Sequence, residues 1–314
     1  MLRRKLSIVL LAASSCFLSQ KSFALSKDSS GFIKLYEDTL KQLQFGRLGP
    51  RKTDQQKEEA NTRFKIMLQK ALNLPRSFDY SFDSLTTIAR LESPDKKFRI
   101  INWNLPKDDG SQEYFGFIQS LNPKTKKYVL YQLTDKSADI ADPQSKVLTT
   151  DKWFGMLYYK IIVEKADKKP EYVLLAWQGY SKLVTRKIIE VLSFSSDGTP
   201  TFGKSIFNHL PSSYKGSPKR IIFQYSSNVS MTLEYNSSKN IIQFDLLGPT
   251  EPGLEGQYQY YGPSFQIDGL GYKDGKWDYI VNVDARNNNH GDEKFKDPKK
   301  GDNQDNKKPI YTPH

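Results

Sequence analysis

Histidine supplies most general bases and many metal ligands, and this chain of 314 residues has three: His209, His290 and His314. His209 stands between Phe207-Asn208 and Leu210-Pro211, a loop-like setting, and the other two lie in a polar C-terminal stretch. There is no H-E-x-x-H, no other His pair at i, i+4, and no G-x-S-x-G elbow. No G-x-G-x-x-G follows a strand, and the one G-x-x-x-x-G-K-[ST] string, Gly198–Ser205, lies in the β-rich region with no helical pattern after it, so nucleotide chemistry has no footing. The single cysteine, Cys16, excludes a disulfide framework, a cysteine zinc site and an iron–sulfur cluster. No residue set asks for a cofactor.

Carboxylates are the remaining route to catalysis. Asp135, Asp139 and Asp142 lie within TDKSADIADPQS and could offer oxygen ligands to Ca²⁺. Their spacing departs from an EF-hand loop, which needs Gly at its sixth position and Glu at its twelfth, so a solvated acidic loop is the favoured reading. A glycosidase needs two carboxyls facing one sugar, about 5–10 Å apart. Glu190, Glu255, Asp268, Asp274 and Asp284 are available, but the sequence does not say which pair meets. Aromatic residues give the more distinctive groupings. Trp103, Trp153 with Phe154, Trp177 with Tyr180, and Tyr258, Tyr260 and Tyr261 in GQYQYYGP are candidates to stack on sugar rings or grip peptide. The competing reading is ordinary cross-strand pairing in a β core. Lys124, Lys126 and Lys127 are too local a basic group for nucleic acid.

The N-terminus carries an address. Arg3, Arg4 and Lys5 form a charged region, an apolar run extends from Ile8 through Ala13 to about Leu18, and Ser22-Phe23-Ala24 places small residues three and one before a cut after Ala24. This predicts a secretory signal over 1–24 and a periplasmic or outer-membrane-associated product. Ala13-Ser14-Ser15-Cys16 vaguely resembles a lipoprotein box, which makes lipidation at Cys16 the lesser alternative. Cleavage after Ala24 removes Arg3, Arg4, Lys5 and Lys21, and the formal charge falls from +12 to +8. No later stretch reaches the roughly 18 apolar residues of a spanning helix, so no transmembrane span is expected in the mature chain.

The elements that must position any site fall into three parts. Residues 25–81 read as a helical lead. Phe32, Tyr36, Leu40 and Leu43 step by four, four and three, and a second helix is predicted over Asp54–Leu72, capped by Thr53 or Asp54 and ended by Pro75. Its expected buried stripe is Ala60, Phe64, Met67, Leu68 and Ala71. Residues 82–285 read as a β-rich domain. Short runs rich in Ile, Val, Phe, Tyr and Trp, such as Phe98–Asn104, Tyr172–Trp177 and Ile188–Phe194, alternate with turn residues. Arg220–Tyr225 alternates weakly, which suits a strand buried on both faces. Residues 286–314 are Asn, Asp, Lys, Gly and Pro with little that is apolar, which predicts a disordered tail.

Turn-like blocks begin at Ser93, Thr149, Ser195, Asn236 and Tyr272, spaced 56, 46, 41 and 36 residues apart, a mean that fits propeller blades with a drift that does not. SPDK at Ser93 resembles the Ser-Pro-Asp-Gly turn of tricorn-type propellers, with Lys96 in place of glycine. The expected fold is mainly β and antiparallel, an irregular β-propeller or else a two-sheet or curved-sheet domain, preceded by two amphipathic helices.

SPDKKFRIINWNL, FGFIQ at Phe115–Gln119, DKWFGMLYYKII, KRIIFQYS, GQYQYYGP and VDARN together resemble a family of uncharacterised exported proteins of Bacteroidota, over roughly Leu85 to Asn287. The resemblance implies export and a β-rich body, and no activity. The expected function is a non-catalytic binding or scaffold protein of the cell envelope, with an envelope glycan or envelope protein as partner and no nucleic acid. The alternative is a carboxylate-dependent hydrolase of glycan or peptide.

Overall fold

The computed structural model describes residues 14–283 apart from 50, 167, 168 and 215, with side chains from residue 30 onward except at 166 and 169. The charged start of the signal, Asp284, His290, His314 and the 286–314 tail lie outside the described residues.

Two helices lead the chain, α1 (Ser14–Gly46) and α2 (Asp54–Leu72). Thr53 caps α2 in a reciprocal box with Gln56: Gln56 N–H donates to Thr53 Oγ1, and Thr53 N–H donates to Gln56 Oε1. Phe64, Leu68 and Ala71 are buried as the periodicity predicts, while Ala60 and Met67 are only partly so. Polar residues fill the rest of the stripe. Lys57 is buried against Asp54 and Asp108, and Asn61 Oδ1 accepts from Trp103 Nε1 at 2.7 Å.

The buried face of α1 differs from the predicted one. Ile33 and Leu40 are buried with Glu37, Gln44 and Arg47, whereas Phe32 is 50% exposed. The reason is hydrogen bonding. Glu37 accepts from the backbone and hydroxyl of Ser84 at 2.9 and 2.7 Å, Gln44 donates to Ser84 O at 2.9 Å, and Arg47 donates to Thr87 O and Asn104 O at 2.6 and 2.9 Å. An apolar-only pattern cannot see a helix face that docks through polar side chains.

The body is three sheets. The first is a meander of β1 (Ala89–Glu92), β2 (Phe98–Pro106), β3 (Gln112–Leu121) and β4 (Tyr128–Thr134). The second contains β5 (Leu148–Thr149), β6 (Leu157–Ala166), β7 (Lys169–Gly179), β8 (Val184–Phe194) and β9 (Pro200–Phe202), in the order β5-β9-β8-β7-β6. The chain then makes β10 (Phe207–Asn208) of the third sheet. It returns to the second with β11 (Ile221–Ser226), which pairs with the first half of β8. Next come β12 (Leu233–Asn236), β13 (Ile241–Pro249), β14 (Tyr261–Lys273) and β15 (Lys276–Ile280), giving a third sheet ordered β10-β15-β14-β13-β12. Pairing is antiparallel except for the two-residue β10–β15 contact. The architecture is therefore mainly β, with two helices before the sheets, as expected. The described residues form three sheets rather than two, and no closed barrel or propeller ring is found among them.

Side-chain parity assigns the layers. On β2 and β3, Ile101, Trp103 and Phe117 meet the helices, and Phe98, Ile100, Tyr114 and Ile118 meet the second sheet. On β7 and β8, Leu174, Ala176, Ile188 and Leu192 face the first sheet, and Val173, Leu175, Ile189 and Val191 face the third. The second sheet is thus covered on both faces. That explains the weak alternation of β11, where Ile221, Phe223 and Tyr225 point to one core and Ile222 to the other.

A buried charge pair crosses this doubly covered layer. Arg220 and Glu190 are both 0% exposed and meet at 2.7 Å. Arg220 also donates to Pro143 O, Lys146 O and Phe202 O, and Val191 N–H donates to Glu190 at 2.9 Å. Burial pushes the Glu190 carboxyl above its usual range, and Arg220 opposes that shift. Removing one member of such a pair strands the other charge, at a cost of about 3–5 kcal/mol. Glu190→Gln should destabilise by about 3 kcal/mol in urea unfolding followed by tryptophan fluorescence, and Glu190→Leu combined with Arg220→Met should recover part of the loss. A single variant within about 1 kcal/mol of the parent would contradict this account of the pair.

Candidate functional cleft

The first and second sheets part at one end of their shared core and leave a cleft of about 650 Å³. Its walls come from the start of β3 (Gln112–Phe115), the end of β4 with the turn after it (Gln132–Ile140), the end of β7 (Gln178–Tyr180), and Arg186 at the start of β8, with Lys65 of α2 at the rim.

Asp135 fixes the floor. Its carboxylate accepts from Ser137 N–H at 2.9 Å, Ser137 Oγ at 2.6 Å, Tyr114 N–H at 3.1 Å and Gly155 N–H at 3.2 Å. A β-carbon on Gly155 would lie 2.4 Å from that carboxylate, so the close approach requires glycine here. From Gly155 the network runs on. Gln178 Nε2 donates to Gly155 O at 2.5 Å, Arg186 Nη1 donates to Gln178 Oε1 at 3.1 Å, and Arg186 Nε donates to Gln224 Oε1 at 2.9 Å. The guanidinium lies 3.4 Å from the centre of the Tyr180 ring, a cation–π contact on a side chain that is itself 51% exposed. Burial lowers the Arg186 pKa from its ordinary value, and Tyr180 works against that shift. Tyr114 accepts from Gly179 N–H at 2.7 Å, and burial raises its hydroxyl pKa.

The three aspartates considered for Ca²⁺ do not form a site. Asp135 is saturated by protein donors, Asp139 is an exposed partner of Lys136 at 3.6 Å, and Asp142 sits at φ 47° ahead of a short helical turn, off the cleft wall. Among the described residues no group of three or more His, Cys, Asp or Glu is gathered to hold a metal ion. His209 Nδ1 lies 3.0 Å from Asp278 on an exposed surface. The carboxylates offered for hydrolysis are scattered. Glu190 is inside the second sheet, and Asp268 is buried in the third under Tyr279, Gln266 and Asn282. Asp274 occupies the β14–β15 turn, and Glu255 accepts from Gly253 N–H in a loop.

The aromatic candidates do not converge either. Trp103 is 1% exposed and locked between sheet one and the helices, and Trp153 is 0% exposed with its Nε1 donating to Tyr158 at 2.8 Å. Both are core residues; each ring fills a layer and satisfies its one N–H. Trp177 is half-buried and shares the β7 face of Val173 and Leu175, away from the cleft. Tyr258 and Tyr260 are exposed on a helical turn that packs against β11, and the Tyr261 ring lies tilted at 60° to that of Tyr258 with centroids 5.1 Å apart. None of the three tyrosines lines the cleft. Sequence reasoning missed Arg186, Gln178 and Tyr114. The only signal was the pairing of Trp177 with Tyr180, of which Tyr180 lines the cleft and Trp177 does not.

Replacing Asp135 with Ala removes the acceptor of three backbone N–H groups. The expected result is a loss of about 2–4 kcal/mol, with faster amide exchange at Tyr114, Ser137 and Gly155. Unchanged exchange at all three would disprove the role of Asp135 as the floor of the cleft.

No family model, no curated protein and no solved structure matches this chain.

Proposed function

We propose that this chain is an exported, non-catalytic binding module of the cell envelope, and that the cleft between its first and second sheets takes the ligand. The observation carrying this reading is the makeup of the walls. Gln112, Gln178 and the ring of Tyr180 line about 650 Å³ of open space, and Phe115 and Gln132, on the helix-facing side of the first sheet, line its rim. Planar polar groups beside aromatic surface are the means by which proteins hold sugars and extended peptides. The carboxylates at the cleft are each engaged: Asp135 by four donors, Glu113 by Lys107 at 3.2 Å and Asp139 by Lys136. That favours binding over hydrolysis, which requires a facing pair.

Export is supported by the charged start, the apolar run and the small residues before position 25. Among the described residues no helix is long and apolar enough to cross a membrane. Membership of an exported Bacteroidota family and a propeller-like body belong to the same proposal. The latter rests on sheets stacked face to face and on two matching turns: Ser93-x-Asp95-Lys96 and Ser195-x-Asp197-Gly198, with φ of 55° and 87° at their last residues.

Two measurements test the proposal. Mass spectrometry of periplasmic material from an expressing bacterium should give Leu25 as the first residue, and a chain retained in the cytosol with residues 1–24 intact would refute export. Ala138→Trp places an indole at the exposed cleft margin. It should weaken retention on immobilised envelope glycan at least tenfold without altering the melting temperature, whereas undiminished retention would remove the cleft from the function.

A further inference from the structure

The β8 face turned toward the first sheet carries Arg186, Ile188, Glu190 and Leu192 in alternation. Glu190, deep in the layer, has Arg220 as its countercharge. Arg186, at the open end, forms no ion pair with any described residue. A half-buried guanidinium has lost part of its hydration, and a neutral neighbourhood does not replace it in full. Tyr180 and the oxygens of Gln178 and Gln224 hold the group flat and in one orientation, which spares the entropy of ordering it on binding. Two of its five N–H donors go to the glutamines, and the side chain lines the cleft.

We propose that Arg186 anchors a ligand carboxylate and that the cleft accepts an acidic oligosaccharide of the uronic-acid type. This rests on the binding reading above and names its ligand class. A carboxylate matches the guanidinium fork in charge and geometry. Gln112 keeps its amide donors while its Oε1 accepts from Asn104 at 2.8 Å, the exposed Gln132 offers both donors and an acceptor, as ring hydroxyls require, and Tyr180 presents a half-exposed ring at the cleft.

The test is calorimetry of the whole chain with trigalacturonate, neutral galactotriose and an acidic tripeptide as probes. The parent should bind trigalacturonate at least tenfold more tightly than galactotriose. Arg186→Gln should abolish that preference, Arg186→Lys should keep part of it, and Lys124→Gln, a surface charge outside the cleft, should leave it unchanged. Tyr180→Ala, at an exposed ring, should reduce it at least threefold and decides the matter if Arg186→Gln melts early. A preference that survives loss of Arg186, or that Lys124→Gln removes equally, overturns the anchor while leaving the binding reading intact. Tighter binding of the tripeptide overturns the saccharide assignment. Failure to bind either oligosaccharide overturns the ligand class, and failure on immobilised envelope glycan as well overturns the reading beneath it.

Discussion

Burial of the second sheet on both faces is the constraint from which the rest follows. Its central strands β7 and β8 have apolar side chains on each face, and polar groups within it must find partners inside the protein. Arg220 meets this requirement by bridging Glu190 and three backbone carbonyls of the 143–146 loop and β9, so one buried cation ties together segments far apart in the chain. Where the cover of the first sheet ends, the same face of β8 turns from paired and dry to open, and the cleft begins.

The first sheet is held from its other side by a polar interface rather than a greasy one. Arg47 is fully buried, its pKa lowered to about 10 by that burial, and it lies over the Phe64 ring while donating to two strand-side carbonyls. Glu37 and Gln44 read the backbone and hydroxyls of Ser84 and Thr87. Directional bonds of this kind fix the rotation of α1 in a way that apolar contact alone does not, since apolar burial is insensitive to small rotations. The lead helices therefore act as a registered lid on sheet one.

The legibility of these features follows the physics of each signal. The bounds of α2 were readable because Thr53 and Gln56 are a local capping pair and the stripe has a helical period. Strands such as β2, β3, β7 and β8 were readable from their β-branched and aromatic runs. The longest strand, β14, was not, because YGPSFQIDGLGYK carries the glycine and proline of a loop. Tertiary packing explains them: a β-carbon at Gly269 would meet Ile241 and Val283 at 2.8 Å, and one at Gly271 would meet Ile280 at 2.8 Å. The placement of the aromatic candidates was hidden for a related reason. Ring type and neighbours do not tell a core tryptophan from an exposed one, and burial decided Trp103 and Trp153.

By itself the sequence determined the class of this protein: two capped or periodic helices, then alternating β runs, because those signals arise between residues a few positions apart. Its single cysteine also excludes a disulfide framework, which needs no fold to be read. Only the tertiary structure decided the stacking of three sheets, the partner of Glu190, and the meeting of Asp135, Gln178 and Arg186 at one opening. Those depend on contacts between residues separated by tens of positions, whose pairing is set by how whole layers pack.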